Sequence, residues 1–479
     1  MRNFAKFILI ICLIVGLAAC GTEEKYVSVR VWLTTPDKSR LLERQADLSF
    51  GPGGSDNETA VDIDEAQAYQ TMDGFGASMT DASAWLIANR LAPERRDELM
   101  AKLFDRTEGI GISYLRVPMG ASDFSLSHYS YDDLPAGESD PELKRFSIKH
   151  DEAYIIPTLL QARKMNPDLK LMGSPWSAPG WMKTSDSLIG GSLKNEYSGT
   201  YANYFVKFIQ TYEAAGLPVD AVTPQNEPHH VPADYPGMRM EAVQQAEWIK
   251  HDLGPALSNA GLDTKIVIWD HNWDEAYYPM TVLNDPEASR YIAGTAFHGY
   301  AGEVSSQSKV KEAYPDKDIY FTESSGGAWA PNFGDNLKWD MQNLIIGATR
   351  HFARTVLKWN LALDEKGGPR TGGCQDCRGV VTIDSATGAY TLNEEYYAFG
   401  HASKFVAPGA RRIESTGLEP GSIENVAFQN PDGSIVLVAF NSADAEKTFV
   451  VRWKGESFRA TLPAGAAATY VWSPPSGAK

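Results

Sequence analysis

The chain has 479 residues, 43% of them hydrophobic, 22% charged and 11% aromatic, which excludes a disordered polymer and a disulfide-stapled miniprotein. Its formal net charge of −17, from 44 Lys and Arg against 61 Asp and Glu, leaves no basic excess for a nucleic-acid surface. One large domain and a smaller companion fit this length.

Residues 1–19 carry Arg2 and Lys6 ahead of an apolar run from Phe7 to Ala19, which has the length of a signal-peptide core and is short for a bilayer span. The junction Leu17-Ala-Ala-Cys20-Gly21 resembles a bacterial lipobox, which implies lipidation of Cys20 as the first mature residue. Plain secretory cleavage after Ala19 is the alternative. Both routes predict an extracytoplasmic protein. With lipidation, the N-terminal anchor is the only expected membrane attachment, at the outer membrane or the periplasmic face, because no second long apolar run follows.

Residues 20–71 read as short strands, among them Val27 to Leu33 with period-2 alternation, broken by the Gly-Pro-Gly-Gly turn at 51–54. From 72 to 403 the pattern becomes short apolar runs alternating with helical stretches. Eight runs qualify as strands: 74–79, 113–118, 169–174, 221–225, 265–269, 292–297, 319–322 and 356–360. Helices are expected between them, including Tyr201 to Ala215 and Met240 to Asn259. Eight such units predict an α/β fold, a (β/α)8 barrel with its site at the C-terminal strand ends. The doubly wound alternative rests on Gly74-Phe-Gly-Ala-Ser-Met79, a near match to a dinucleotide fingerprint with Met in place of the last Gly. Residues 404–479 return to strands at 425–429, 435–440, 448–453 and 467–472, with a hairpin turn at Asn430-Pro-Asp-Gly433. The N- and C-terminal strands together are expected to form one side β-sandwich, since each set alone is too small to bury two faces.

Two carboxylates sit where barrel chemistry is found. Glu227 in Gln225-Asn-Glu-Pro228 follows the fourth strand, and Glu323 in Phe321-Thr-Glu-Ser-Ser-Gly326 follows the seventh. A retaining glycosidase needs such a pair, one a nucleophile and the other an acid that later acts as base, about 5 to 5.5 Å apart. The 12 Trp, 21 Tyr and 19 Phe include candidate platforms for sugar faces. Cys374 and Cys377 lack the two further ligands of a zinc site, so a local disulfide is expected, with free thiols as the alternative. His229-His230 is not read as a metal pair, because adjacent residues on an extended segment point apart. No metal and no cofactor are predicted. No G-x-S-x-G elbow is present for a serine hydrolase.

The segments Met72 to Asp81, Leu115-Arg-Val-Pro118, Ser174 to Trp181, Gln225 to Pro228, Thr322-Glu323 and Trp359 to Leu363 are similar to those of glycoside hydrolase family 30, over nearly the whole mature chain. The resemblance implies Glu227 as acid/base and Glu323 as nucleophile, with Asp81, Trp176, Asn226 and Trp359 gripping the sugar in the cleaved subsite. It also places Arg116 beside the carboxylates, where a cation would hold Glu323 ionised, while Glu227 would stay protonated near neutrality. His298-Gly299-Tyr300 stands where many members have His-Trp-Tyr. Tyr300 would bond the nucleophile, and His298 would line the pocket or be a satisfied buried histidine. Tyr235 to Met240 and the Cys374 to Gly379 loop resemble the endo-β-1,6-glucanase branch more than the glucosylceramidase branch. The expected partner is therefore an oligo- or polysaccharide, with β-1,6-glucan ahead of glucosylceramide and of simple β-glucosides or β-xylosides. A carbohydrate-binding surface lipoprotein without catalysis is the rival of another class. Oligomeric state is not legible.

Overall fold

The computed structural model describes residues 26–53, 59–417 and 421–474. The expected signal segment and Cys20 lie outside the described residues. Eight parallel strands close into a barrel: Gly74–Ser78, Tyr114–Pro118, Lys170–Ser174, Ala221–Val222, Lys265–Asn272, Ile292–His298, Asp318–Glu323 and Ala353–Asn360, with the eighth pairing back onto the first. They are referred to below as barrel strands 1 to 8. All eight predicted runs are present. Gly74-Phe-Gly76 lies inside strand 1 and is not a phosphate-binding turn: a Cβ at Gly76 would meet Tyr114 O at 2.0 Å, so the close strand pairing requires glycine there.

Tyr114, Met172, Ala221, Val267, Ala296, Tyr320 and Leu357 fill the barrel interior. The larger core lies between the strands and the surrounding helices. Helix Ser198–Ala214 shows why the pattern works: Tyr201, Tyr204, Phe205, Phe208 and Tyr212 recur at three- and four-residue spacing and are all buried. The single helix expected over 240–259 is instead Ala242–Trp248, a π turn at Ile249–Leu253, and Gly254–Asn259. Pro255 has no N–H for the carbonyl one turn earlier, and the wider turn absorbs that missing bond.

The side domain joins both termini, as predicted. Ser28–Thr34 pairs with Ala467–Trp472, and the 12-residue strand Ala60–Thr71 runs antiparallel to Arg411–Ser415 and parallel to Lys447–Trp453. Their shared core includes Val29, Phe50, Val61, Ile435, Leu437, Phe458 and Trp472. Strands Arg411–Ser415 and Glu456–Leu462 were not anticipated. The latter alternates buried Phe458, Ala460 and Leu462 with exposed Arg459 and Thr461, a period-2 signal among charged neighbours.

Candidate active site

Consecutive strand ends deliver the polar groups at the barrel mouth. Arg116 of strand 2 is fully buried and donates to four partners: Glu323, Asp270 Oδ2 at 2.7 Å, Asn226 Oδ1 at 2.6 Å and Ser174 Oγ at 3.1 Å. Asp270, at the end of strand 5, also accepts from Ser174 (2.7 Å) and Thr223 (2.7 Å) on Oδ2, and from Thr322 (2.7 Å) on Oδ1. Tyr300 donates its hydroxyl to Glu323 Oε1 at 3.0 Å. His298 places Nδ1 3.0 Å from Glu227 Oε1 and Nε2 3.0 Å from Asp270 Oδ1.

Atoms of Glu227, His298 and Glu323 all lie within 4.8 Å of one another. That separation suits direct attack by one carboxylate and is far below the roughly 6.5 to 9.5 Å that an intervening water needs. The cluster has the donor types of a cation site. Yet Arg116 is already paired with Glu323 and Asp270, and His298 is spent between two carboxylates, so proton transfer describes it better than metal binding. The backbone around it is strained: Glu227 (φ 43°), Trp269 (φ 74°) and Asp270 (φ 63°) are all left-handed non-glycine residues, and Glu227 N donates to Asp270 O at 3.0 Å. Such conformations cost about 1 to 3 kcal/mol each and persist only when their surroundings over-determine them.

The two carboxyls differ, but in the order opposite to that expected for the resting enzyme. Burial pushes Glu227 up, yet the hydrogen bond and charge of His298 draw it down to about 2. Glu323 is raised from its ordinary value by burial and by the charges of Glu227 and Asp270, which together outweigh His298 and Arg116. Arg116 is thus on Glu323 as expected without setting the balance. The difference is made by His298: burial would lower it, but Glu323 and its bonds to Asp270 and Glu227 raise it to about 9.

Trp176 and Trp359 stack at 5.0 Å between ring centroids, and the Arg116 guanidinium lies 4.8 Å from the Trp176 ring and 5.5 Å from that of Trp359. Their cluster includes Phe124, Leu363 and Cys377. Cys374 and Cys377 form a disulfide, and Cys377 pairs with Gly327 just beyond Glu323, so the bridged loop walls the pocket. His229 turns to Glu275 at 2.6 Å and His230 to Tyr235 at 2.9 Å, apart from each other.

Asp81 opens helix Asp81–Arg90, and its carboxylate accepts from Tyr154 (2.5 Å) and Leu126 N (2.7 Å) and meets His150 Nε2 at 2.8 Å. The pocket also receives Asp123, from the loop after strand 2. Its buried Oδ1 has no hydrogen-bond partner, and burial with the fields of Glu323 and Glu227 pushes its pKa well up. Asp123 and Asp270 were missed, although the rule that found both glutamates, polar residues just after a barrel strand, covers them.

Residues 72–406 match the model of the glycosyl hydrolase family 30 TIM-barrel domain, and residues 409–470 that of the family's beta sandwich domain. An endo-1,6-beta-D-glucanase of Aspergillus fumigatus is 34% identical over 95% of this chain and 97% of its own. The lysosomal acid glucosylceramidase of Mus musculus is 31% identical over 96% and 90%. Among solved structures, an endo-beta1,6-glucanase superposes with a TM-score of 0.87 at 34% identity, covering 93% of this chain and all of that one.

Proposed function

The chain belongs to glycosyl hydrolase family 30, and from that membership we propose that it cleaves β-1,6-linked glucan chains, with Glu323 as nucleophile and Glu227 as acid/base. It is a retaining glycoside hydrolase. The observation that carries the residue assignment is the approach of Glu227, His298 and Glu323 within 4.8 Å at the barrel mouth.

Glu323 attacks the anomeric carbon and forms a glycosyl ester while Glu227 protonates the departing oxygen. Glu227 then takes a proton from the water that cleaves the ester. Arg116 and the Tyr300 hydroxyl hold the two oxygens of Glu323, fixing its line of attack. Arg116 takes Asn226 Oδ1, which turns the Asn226 amide N–H groups toward a sugar hydroxyl. Trp176 and Trp359 form the apolar wall of that subsite, and Asp123 supplies an acceptor for sugar hydroxyls.

The glucan assignment is supported by the 34% identity to endo-1,6-β-glucanases in both sequence and structure. Chromatography of the products from pustulan, laminarin, xylan and glucosylceramide tests it. A ladder of oligosaccharides from pustulan is expected; preferential turnover of another substrate would overturn the assignment, and glucose alone would replace endo by exo action.

Asp123 and Asp81 separate in one pair of variants. Asp123→Asn should lower kcat/KM by roughly 10- to 100-fold, the worth of a charged hydrogen bond, and leave the melting temperature near the wild type. Asp81→Asn should cost about 3 kcal/mol in thermal unfolding with kcat/KM nearly intact in the folded fraction. The reverse pattern would make Asp81, and not Asp123, the residue that grips the sugar.

We also propose that Cys20 is lipidated and that the mature enzyme sits on the outer membrane or the periplasmic face. The Leu-Ala-Ala-Cys-Gly junction supports this. Cys20→Ser should move the protein from the membrane to the soluble fraction, and unchanged partitioning would contradict it.

A further inference from the structure

We propose that His298 is a positioning residue that stores the proton Glu227 delivers, so that the acid of the reaction is the hydrogen-bonded pair of His298 and Glu227. This rests on the glycosidase reading of the same site. The imidazole is wholly buried between two carboxylates, 3.0 Å from each. Asp270 is committed as an anion, because Arg116, Ser174, Thr223 and Thr322 all donate to it. Nε2 must therefore carry a proton and give it to Asp270, which pins the ring and leaves Nδ1 facing Glu227 with one proton between them. The pair is either imidazolium with carboxylate or imidazole with carboxylic acid.

The other groups facing the ring decide which. Glu323 Oε1 lies 4.0 Å from Nδ1. The rings of His271 and Tyr300 each lie 6.2 Å from the His298 ring, and the Tyr300 hydroxyl is on Glu323. Arg116 faces the ring only through Asp270 and Glu323, which it bonds. His271 is drawn down to about 4 by burial and stays neutral. The charge of Glu323 is the largest influence holding the proton on His298 against burial.

That dependence closes a cycle. In the first step Glu323 forms its bond to the anomeric carbon, and the bond to the leaving oxygen breaks with its electron pair on oxygen. The single shared proton passes from Nδ1 through Glu227 to that oxygen. The charge of Glu323 is consumed in the ester, so the field retaining the proton on the imidazole disappears as the proton is needed. The pair is left as neutral imidazole and Glu227 carboxylate, the form a base requires. Water then yields a proton to Glu227 and its oxygen bonds to the anomeric carbon. The ester electron pair returns to Glu323, and the restored charge draws the proton back to Nδ1.

His298→Gln keeps an amide between the two carboxylates but cannot carry the proton. For β-1,6-linked gluco-oligosaccharides, the basic limb of kcat/KM should lie near the His298 value of about 9 in the wild type. In the variant the proton has only a carboxyl to sit on, and the limb should move down by more than about one pH unit, a tenfold loss on that flank. With 2,4-dinitrophenyl β-glucoside, whose leaving group needs no proton, the glycosylation rate should stay within about threefold. An unmoved limb, or equal losses on both substrates, overturns the proposal. Should the variant fail to fold, 15N NMR of histidine-labelled wild type reads the same point. Both nitrogens of His298 should be protonated at about pH 7, with Nδ1 deprotonated once a fluoroglucosyl ester is trapped; a neutral ring in the free enzyme overturns the proposal. A wild type inactive on both substrates would remove the glycosidase reading itself, whereas an active one with an unmoved limb removes only the role of His298.

Discussion

Replacing Glu323 with alanine should lower turnover of every β-glucoside by about 10⁴-fold or more, whatever the leaving group, because no covalent intermediate can form. Tyr300 and Arg116 then face an open space where the carboxylate stood, and azide is small enough to enter it. Attack by azide from that side inverts the anomeric centre, so added azide should restore activity and yield α-glucosyl azide. Restoration with β-glucosyl azide would take the nucleophile role away from Glu323.

Replacing Glu227 with alanine should depend on the leaving group. Chains that leave as alkoxides lose roughly 10² to 10⁴ in rate, while dinitrophenyl glucosides form the intermediate at nearly the wild-type rate and then stall for want of a base. Azide attacks that accumulated ester from the opposite face and should give β-glucosyl azide. Equal losses on both substrates would contradict the acid/base assignment. His298 sharpens the expectation, since it stays bonded to Asp270 in the variant and has no carboxyl through which to pass its proton.

The barrel was legible because parallel strands buried on both faces appear as short continuous apolar runs, and eight of them recur between helical stretches. The π turn at Ile249–Leu253 was not, since Pro255 signals a disturbed helix without saying whether it breaks or widens. Glu227 and Glu323 were legible because both sit just past a strand. Asp81 also follows a strand, but as the first residue of a helix its carboxylate turns toward His150 and Tyr154, a direction set by tertiary contacts and invisible to spacing. Asp123 and Asp270 satisfied the same positional rule and were overlooked. The proton order of the two glutamates lay beyond the sequence altogether, because it depends on which carboxylates His298 touches, and those come from strands 4 and 5.

The double-displacement mechanism requires that Glu323 become covalently bound to the sugar. Incubation with 2-deoxy-2-fluoro-β-glucosyl fluoride, followed by peptide mass spectrometry, tests it most directly. One fluoroglucosyl group on the peptide containing Glu323 is the expected result, with loss of activity in step with labelling. A label on any other residue, or full turnover without a trapped ester, would contradict it.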